Sequence, residues 1–182
     1  MSVVRPLLTS DRLVNQFISG GMKMKYGIFF GVLLLSRLAW ATDAAPPCLS
    51  HGQAIPVNDA EILNWKHATP NQFTARGHVE GRIQKLYPDI NGHQHFEIQI
   101  GPKPMDTLEV VSSMAFGTIP NLALGQLVEA CGDYITSTAP AGRFPASPDG
   151  AIIHWVHRNP SPAGHPSGFV MVDGNLFGQG FY

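Results

Sequence analysis

Beyond Pro70 the chain settles into short runs in which apolar and polar side chains alternate, the period of a half-buried strand. FTARGHVEGRIQKLY alternates through Val79, Gly81, Ile83 and Leu86, and HQHFEIQIG places Phe96, Ile98 and Ile100 on one face. TLEVVSSM, GQLVEACGDYI and AIIHWVH read as further strands, the last stopping near Asn159-Pro160, where proline cannot donate to a ladder. Asn91-Gly92 is a tight-turn signal that predicts a hairpin of the first two strands, and FVMVDGNLFG predicts a second about Asp173-Gly174.

Upstream the period changes. VNDAEILNWKHAT sets Ile62, Leu63 and Trp65 on one helical face behind Asn58, an N-cap residue with Glu61 three positions on. This predicts a short helix over residues 59–67, preceded by an irregular arm from Ala44 to Gln53. Several short strands with one helix predict a mainly β fold: a small antiparallel OB-like β-barrel with one short N-terminal helix and a C-terminal hairpin. A small sandwich would share the pattern, and periodicity does not choose between them.

The first forty-odd residues carry a different signal. MKMKYGIFFGVLLLSRLAWA combines Lys23 and Lys25, an apolar run from Tyr26 to Leu35 and an A-x-A site at Ala39-Trp40-Ala41, the parts of a secretory signal peptide. Residues 1–41 are read as that signal, with 1–21 an over-extended start. Residues 42–70 form the arm and helix, and 71–182 the barrel domain. The apolar run is shorter than the roughly 20 residues of a membrane-spanning helix, so no membrane span is expected after cleavage. The expected location is periplasmic or secreted.

Charge then narrows the function. The 182 residues carry a formal charge of −1, but removing residues 1–41 leaves seven Lys and Arg against twelve Asp and Glu, a net of −5. That balance argues against nucleic acid as a partner, because backbone binding depends on Lys and Arg displacing counterions. Cys48 and Cys131 both lie in the exported part, and an even pair in an oxidising compartment predicts a disulfide.

Candidate chemistry concentrates in HWVHRNPSPAGHPSGF, residues 154–169. Successive strand side chains point to opposite faces, so His154 and His157 would diverge on a straight strand, and His157 is expected in the turn before Pro160. A loop through Ser161-Pro162-Ala163-Gly164 could bring His165 back. His154, His157 and His165 with water would then make an open zinc-type site. The plainer alternative is three separate imidazoles bonded to backbone and solvent. His93 and His95 share a strand face, while His51, His67 and His78 lack supporting context. Asp89 and Asp133 lie near strand ends, where carboxylates usually form turns.

Several of these elements resemble the bacterial domain-of-unknown-function 3465 family, a group of small exported proteins. GHQHFEIQI, then GDY, and above all GAIIHWVHRNPSPAGHPSGF carry the resemblance, over about Arg76 to Phe177. The matching positions are His93, Gln94, Phe96, Gly132, Tyr134, His154, Trp155, His157, Pro160, His165 and Gly168. Asn159 stands where the family has Asp, Phe169 where it has Trp, and no AHNIDL-like stretch follows the third strand. The resemblance implies an exported small domain and groups His93 with the later histidines, but it implies no activity.

Three functions are compatible with these residues. The first is a binding module with a His-lined cleft, in which His93, Trp155 and His165 contact a small ligand or His154, His157 and His165 hold a divalent metal such as zinc. The second is a metal-assisted, phosphodiesterase-like hydrolase with Asp133 as a further partner. The third is an OB-type oligonucleotide or saccharide binder with Phe96 and Trp155 as stacking platforms. A separation above about 10 Å between His93 and His154 would dismiss a shared metal site, since each ligand sits about 2 Å from the ion.

Overall fold

Alternation becomes a closed wall in the computed structural model, which describes residues 44–161 and 164–180. These residues belong to one compact unit. The expected signal segment, 1–41, lies outside them. The arm forms a two-stranded ladder, β1 (Leu49–Ser50) with β2 (Gln53–Ala54). Helix α1 (Asp59–Ala68) follows, then β3 (Thr74–Leu86), β4 (His93–Gln99), β5 (Thr107–Ser113), a 3-10 turn (Met114–Phe116), β6 (Leu127–Thr136), β7 (Ala151–His154), β8 (Phe169–Val172) and β9 (Asn175–Phe177).

The strands from β3 to β7 close in the order β3-β4-β5-β7-β6, with β6 returning to β3. Every pairing in the ring is antiparallel except β5 with β7, which is parallel. This is a small five-stranded Greek-key β-barrel. The long β3 makes closure possible: Thr74–Arg82 pair with β6, and Arg82–Leu86 turn to pair with β4. Gly81 sits at the crossover, where a Cβ would collide with the carbonyl oxygen of Gln99. β8 and β9 extend the wall from β6 as the expected C-terminal hairpin.

The core follows the predicted inward positions. Val79, Ile83, Phe96 and Ile98 are fully buried, joined by Val110, Tyr134, Ile153 and Val170. Full burial corrects the expectation for Phe96, since a ring with no exposed surface cannot serve as a stacking platform. Leu86 also departs from its expected face: the register shifts between Ile83 and Lys85, and Leu86 ends up exposed although its backbone pairs with Phe96 of β4. The hairpin turn forms as predicted, with Asn91 and Gly92 both at positive φ.

Helix α1 lays Ile62, Leu63 and Trp65 on the core, with Trp65 5.5 Å from Tyr134 ring to ring. Asn58 stands at the expected N-cap, yet its side-chain oxygen makes no capping bond. That oxygen accepts from the His78 backbone N–H on β3, while the Asn58 N–H donates to the His78 carbonyl. The residue therefore ties the helix to the barrel. On the far side of β6 the predicted Cys48–Cys131 disulfide forms, bridging 83 positions and sitting among Ile55, Phe169, Met171 and Leu176.

One stability prediction arises at the start of α1. Burial, reinforced by the Glu80 charge and offset in part by the Glu80 N–H and His78, raises the Asp59 pKa from 3.8 to about 6. The folded state therefore binds more protons between those values, and its stability falls as pH rises through that window. Asp59→Asn is expected to stabilise the protein by about 1 kcal/mol at pH 7.5, a value discounted for the half-exposed site, and to have no effect at pH 4. Urea unfolding at both pH values tests this. An equal effect at the two would show that ionisation is not the cause.

Candidate functional site

The outward side chains of β4 and the end of β7 bring the predicted histidines together. Gln94 points inward and closes the barrel end by bonding both the N–H and the carbonyl of Ile119, so His93 and His95 on either side face out. β5 separates β4 from β7 in the sheet, and His154 is the last residue of β7. The His93 and His154 ring centres are 5.4 Å apart. The distant hairpin and the loop-proximal strand thus share one surface, well inside the 10 Å limit.

β7 stops at His154, five residues before the expected end. Trp155 adopts φ +56, the left-handed region that bulky side chains rarely enter, at a typical cost of about 1 to 3 kcal/mol. Two glycines receive the turned chain. The Gly168 N–H donates to the His157 carbonyl, and the Arg158 N–H donates to the Gly178 carbonyl. Val156 takes the core position, and the Trp155 indole lies 4.2 Å from the His154 ring and 4.6 Å from the His165 ring, nearly parallel to both. His157 is buried, stacks on Phe116 at 3.7 Å and meets His165 edge-on at 5.0 Å.

Hydrogen bonds fix the tautomers. The Nδ1 of His93 donates to the Asn91 carbonyl at 3.0 Å, that of His157 to the Arg158 carbonyl at 2.9 Å, and that of His165 to the Pro166 carbonyl at 2.8 Å. His95 Nδ1 donates to the buried Glu109 carboxylate at 2.7 Å. Carbonyl and carboxylate oxygens accept, so in the neutral ring each proton sits on Nδ1 and each lone pair on Nε2. Metal-binding histidines are oriented in this way by their outer partners.

His154 differs from the other four. Its Nε2 is buried with no hydrogen-bond partner among the described residues, an arrangement costly enough to call for a reason. Burial, then the nearby imidazoles of His93, His157, His165 and His95, push its pKa down to about 4. Burial also lowers His157, against the effect of its bond to Arg158. Both rings are therefore neutral at neutral pH, with nitrogen lone pairs available.

The expected set of His154, His157 and His165 does not assemble around one point. Among the described residues no group of three or more His, Cys, Asp or Glu side chains is placed to hold an ion together. The imidazoles instead fall into two pairs, His93 with His154 and His157 with His165. An imidazole nitrogen about 2 Å from a metal puts the ring centre about 3 Å from it, so two rings on one tetrahedral ion have centres about 5 Å apart. The separations of 5.4 and 5.0 Å match that figure, and the 6.3 Å between His93 and His95 exceeds it.

Asp133 lies directly across the ladder from His154, but its carboxylate is held at 2.8 Å by Arg76. Both line a groove of about 690 Å³ between the arm and β3, together with Ser167, Gly168 and His51. Glu109 is the carboxylate that meets an imidazole of the cluster. Sequence reasoning missed it because an acidic residue in an apolar strand is ordinarily read as its solvent-facing position, whereas Glu109 is buried and also bonded by Ser147. His78 bonds the Ile55 carbonyl and Glu129 and anchors the arm. Among the described residues no helix is long and apolar enough to cross a membrane. No known protein-family model matches the chain, and no curated protein matches it either.

Proposed function

We propose that this chain is an exported binding module, of the kind represented by the domain-of-unknown-function 3465 family, that holds a divalent metal ion on the outer face of its barrel between His93 and His154. The observation that carries this reading is the buried Nε2 of His154, without a hydrogen-bond partner among the described residues, in a ring centred 5.4 Å from a second imidazole whose Nδ1 is already fixed. A role as metal ligand would account for that nitrogen, with water or a small ligand completing the coordination. The signal-like segment and the disulfide support the periplasmic or secreted address.

Zinc and its neighbours suit two neutral nitrogens with open positions. The hydrolase reading keeps one specific support, the His95–Glu109 pair, in which a carboxylate accepts from Nδ1 and orients an imidazole next to His93. In that reading Glu109 takes the place of Asp133.

Equilibrium dialysis of untagged protein against Zn(II) is the test. The parent is expected to bind zinc, and a His93→Ala, His154→Ala variant is expected to lose at least tenfold in affinity for this pair. Unchanged zinc binding in the variant would end the proposal. Hydrolysis of a model phosphodiester by the zinc-loaded parent, lost in Glu109→Gln while zinc stays bound, would promote the second reading.

A further inference from the structure

The second imidazole pair has the features of the first on a different part of the chain. His157 and His165 meet edge-on at 5.0 Å, the separation expected for two rings on one ion. Both Nδ1 atoms are committed to backbone carbonyls, of Arg158 and Pro166, so both Nε2 atoms carry lone pairs. Phe116, stacked on His157, and the Gly168 N–H on the His157 carbonyl hold that ring in place. The other ring rests on Trp155.

We infer that His157 and His165 form a second metal site, so that one chain takes up two divalent ions, one at each imidazole pair, with the Trp155 indole packed against a ring from each. This rests on the metal reading of the first pair and extends it to stoichiometry and ion class. Each pair offers only two protein ligands, one fewer than the three typical of zinc sites that keep an open position. Sites with few ligands and no shape of their own follow intrinsic affinity, which peaks at Cu(II) among the first-row divalent ions. Copper is therefore the ion both pairs select over zinc.

The indole supplies an independent readout, because Cu(II) bound close to Trp155 quenches its fluorescence. The full chain, dialysed against buffered Cu(II), is expected to retain two ions with a marked loss of tryptophan emission, and Cu(II) is expected to displace Zn(II). Trp155→Phe is expected to keep both ions and to show little further quenching. His157→Ala, His165→Ala is expected to retain one ion, and His93→Ala, His154→Ala also one, lost from the other pair. Should His157→Ala destabilise the fold, His165→Ala on the half-exposed loop serves in its place, judged by circular dichroism and the same ion count.

One ion in the parent, unaffected by His165→Ala, would overturn the second site while leaving the first intact. Ion binding that survives in the His93, His154 variant and disappears with His165→Ala would instead overturn the first pair and keep this one. Zinc retained against equal Cu(II) would refute the copper preference.

Discussion

Removing the Cys48–Cys131 disulfide is expected to cost about 4.5 kcal/mol, the chain-entropy value for the 83-position separation it spans. Both sulfurs are buried, and they fasten the arm to the middle of β6, which pairs with β3, β7 and β8. In the reduced unfolded chain that long loop is free, so the unfolded state gains most. In the folded state the arm keeps weaker ties to β3: the Arg76 Nε–H to the Leu49 carbonyl and the His78 ring to the Ile55 carbonyl. A Cys48→Ala, Cys131→Ala variant should melt about 15 °C below the parent, and the parent with reductant should approach it. Urea unfolding gives the free energy directly. A loss below about 1 kcal/mol would mean that the reduced unfolded chain is already compact enough for the cross-link to matter little.

The barrel was legible because its signal is repeated. Phe96, Ile98 and Ile100 alternate with His95, Glu97 and Gln99, and period two admits only one inward face. The turns at Asn91-Gly92 and Asp173-Gly174 were legible because positive φ selects those residues. Failures occurred where a side chain answered to a distant partner. Asn58 has the chemistry of a cap, yet its oxygen serves the His78 N–H twenty residues on, a contact that no local pattern encodes. Glu109 reads as a solvent position until Ser147 and His95 are brought to it by the fold.

The histidine cluster was legible in membership and illegible in geometry. Grouping His93 with the later histidines anticipated the 5.4 Å approach to His154. Proline is a visible terminator and predicts a strand end near Asn159-Pro160, whereas the actual terminator is the left-handed turn of Trp155, a residue whose type gives no warning. That turn decides the pairing. With Trp155 stacked on both His154 and His165, the three expected ligands separate into members of two pairs, and His93 and His157 become the partners.

Gly168→Ala is expected to test this arrangement most directly. A methyl group on Gly168 would collide with the carbonyl oxygens of Cys131 and Trp155 and press on the Val156 Cα at 3.1 Å. All three are backbone atoms, so no flexible side chain can swing away. Cys131 is held by β3, β8 and the disulfide, and relief must come from the Trp155 turn. Overpacking of this kind costs about 1 to 3 kcal/mol, and two simultaneous oxygen contacts put Gly168→Ala near the upper figure. Moving the turn also breaks the bond from the Gly168 N–H to the His157 carbonyl, which positions one ring of the second pair. Ion affinity there should fall by about tenfold to a hundredfold, the range for lost outer support, while the strand-borne pair of His93 and His154 changes less. Stability from urea unfolding and ion counts from dialysis measure the two effects separately. Parent stability with two ions retained would show that the loop has room to yield and that Gly168 does not hold the site in place.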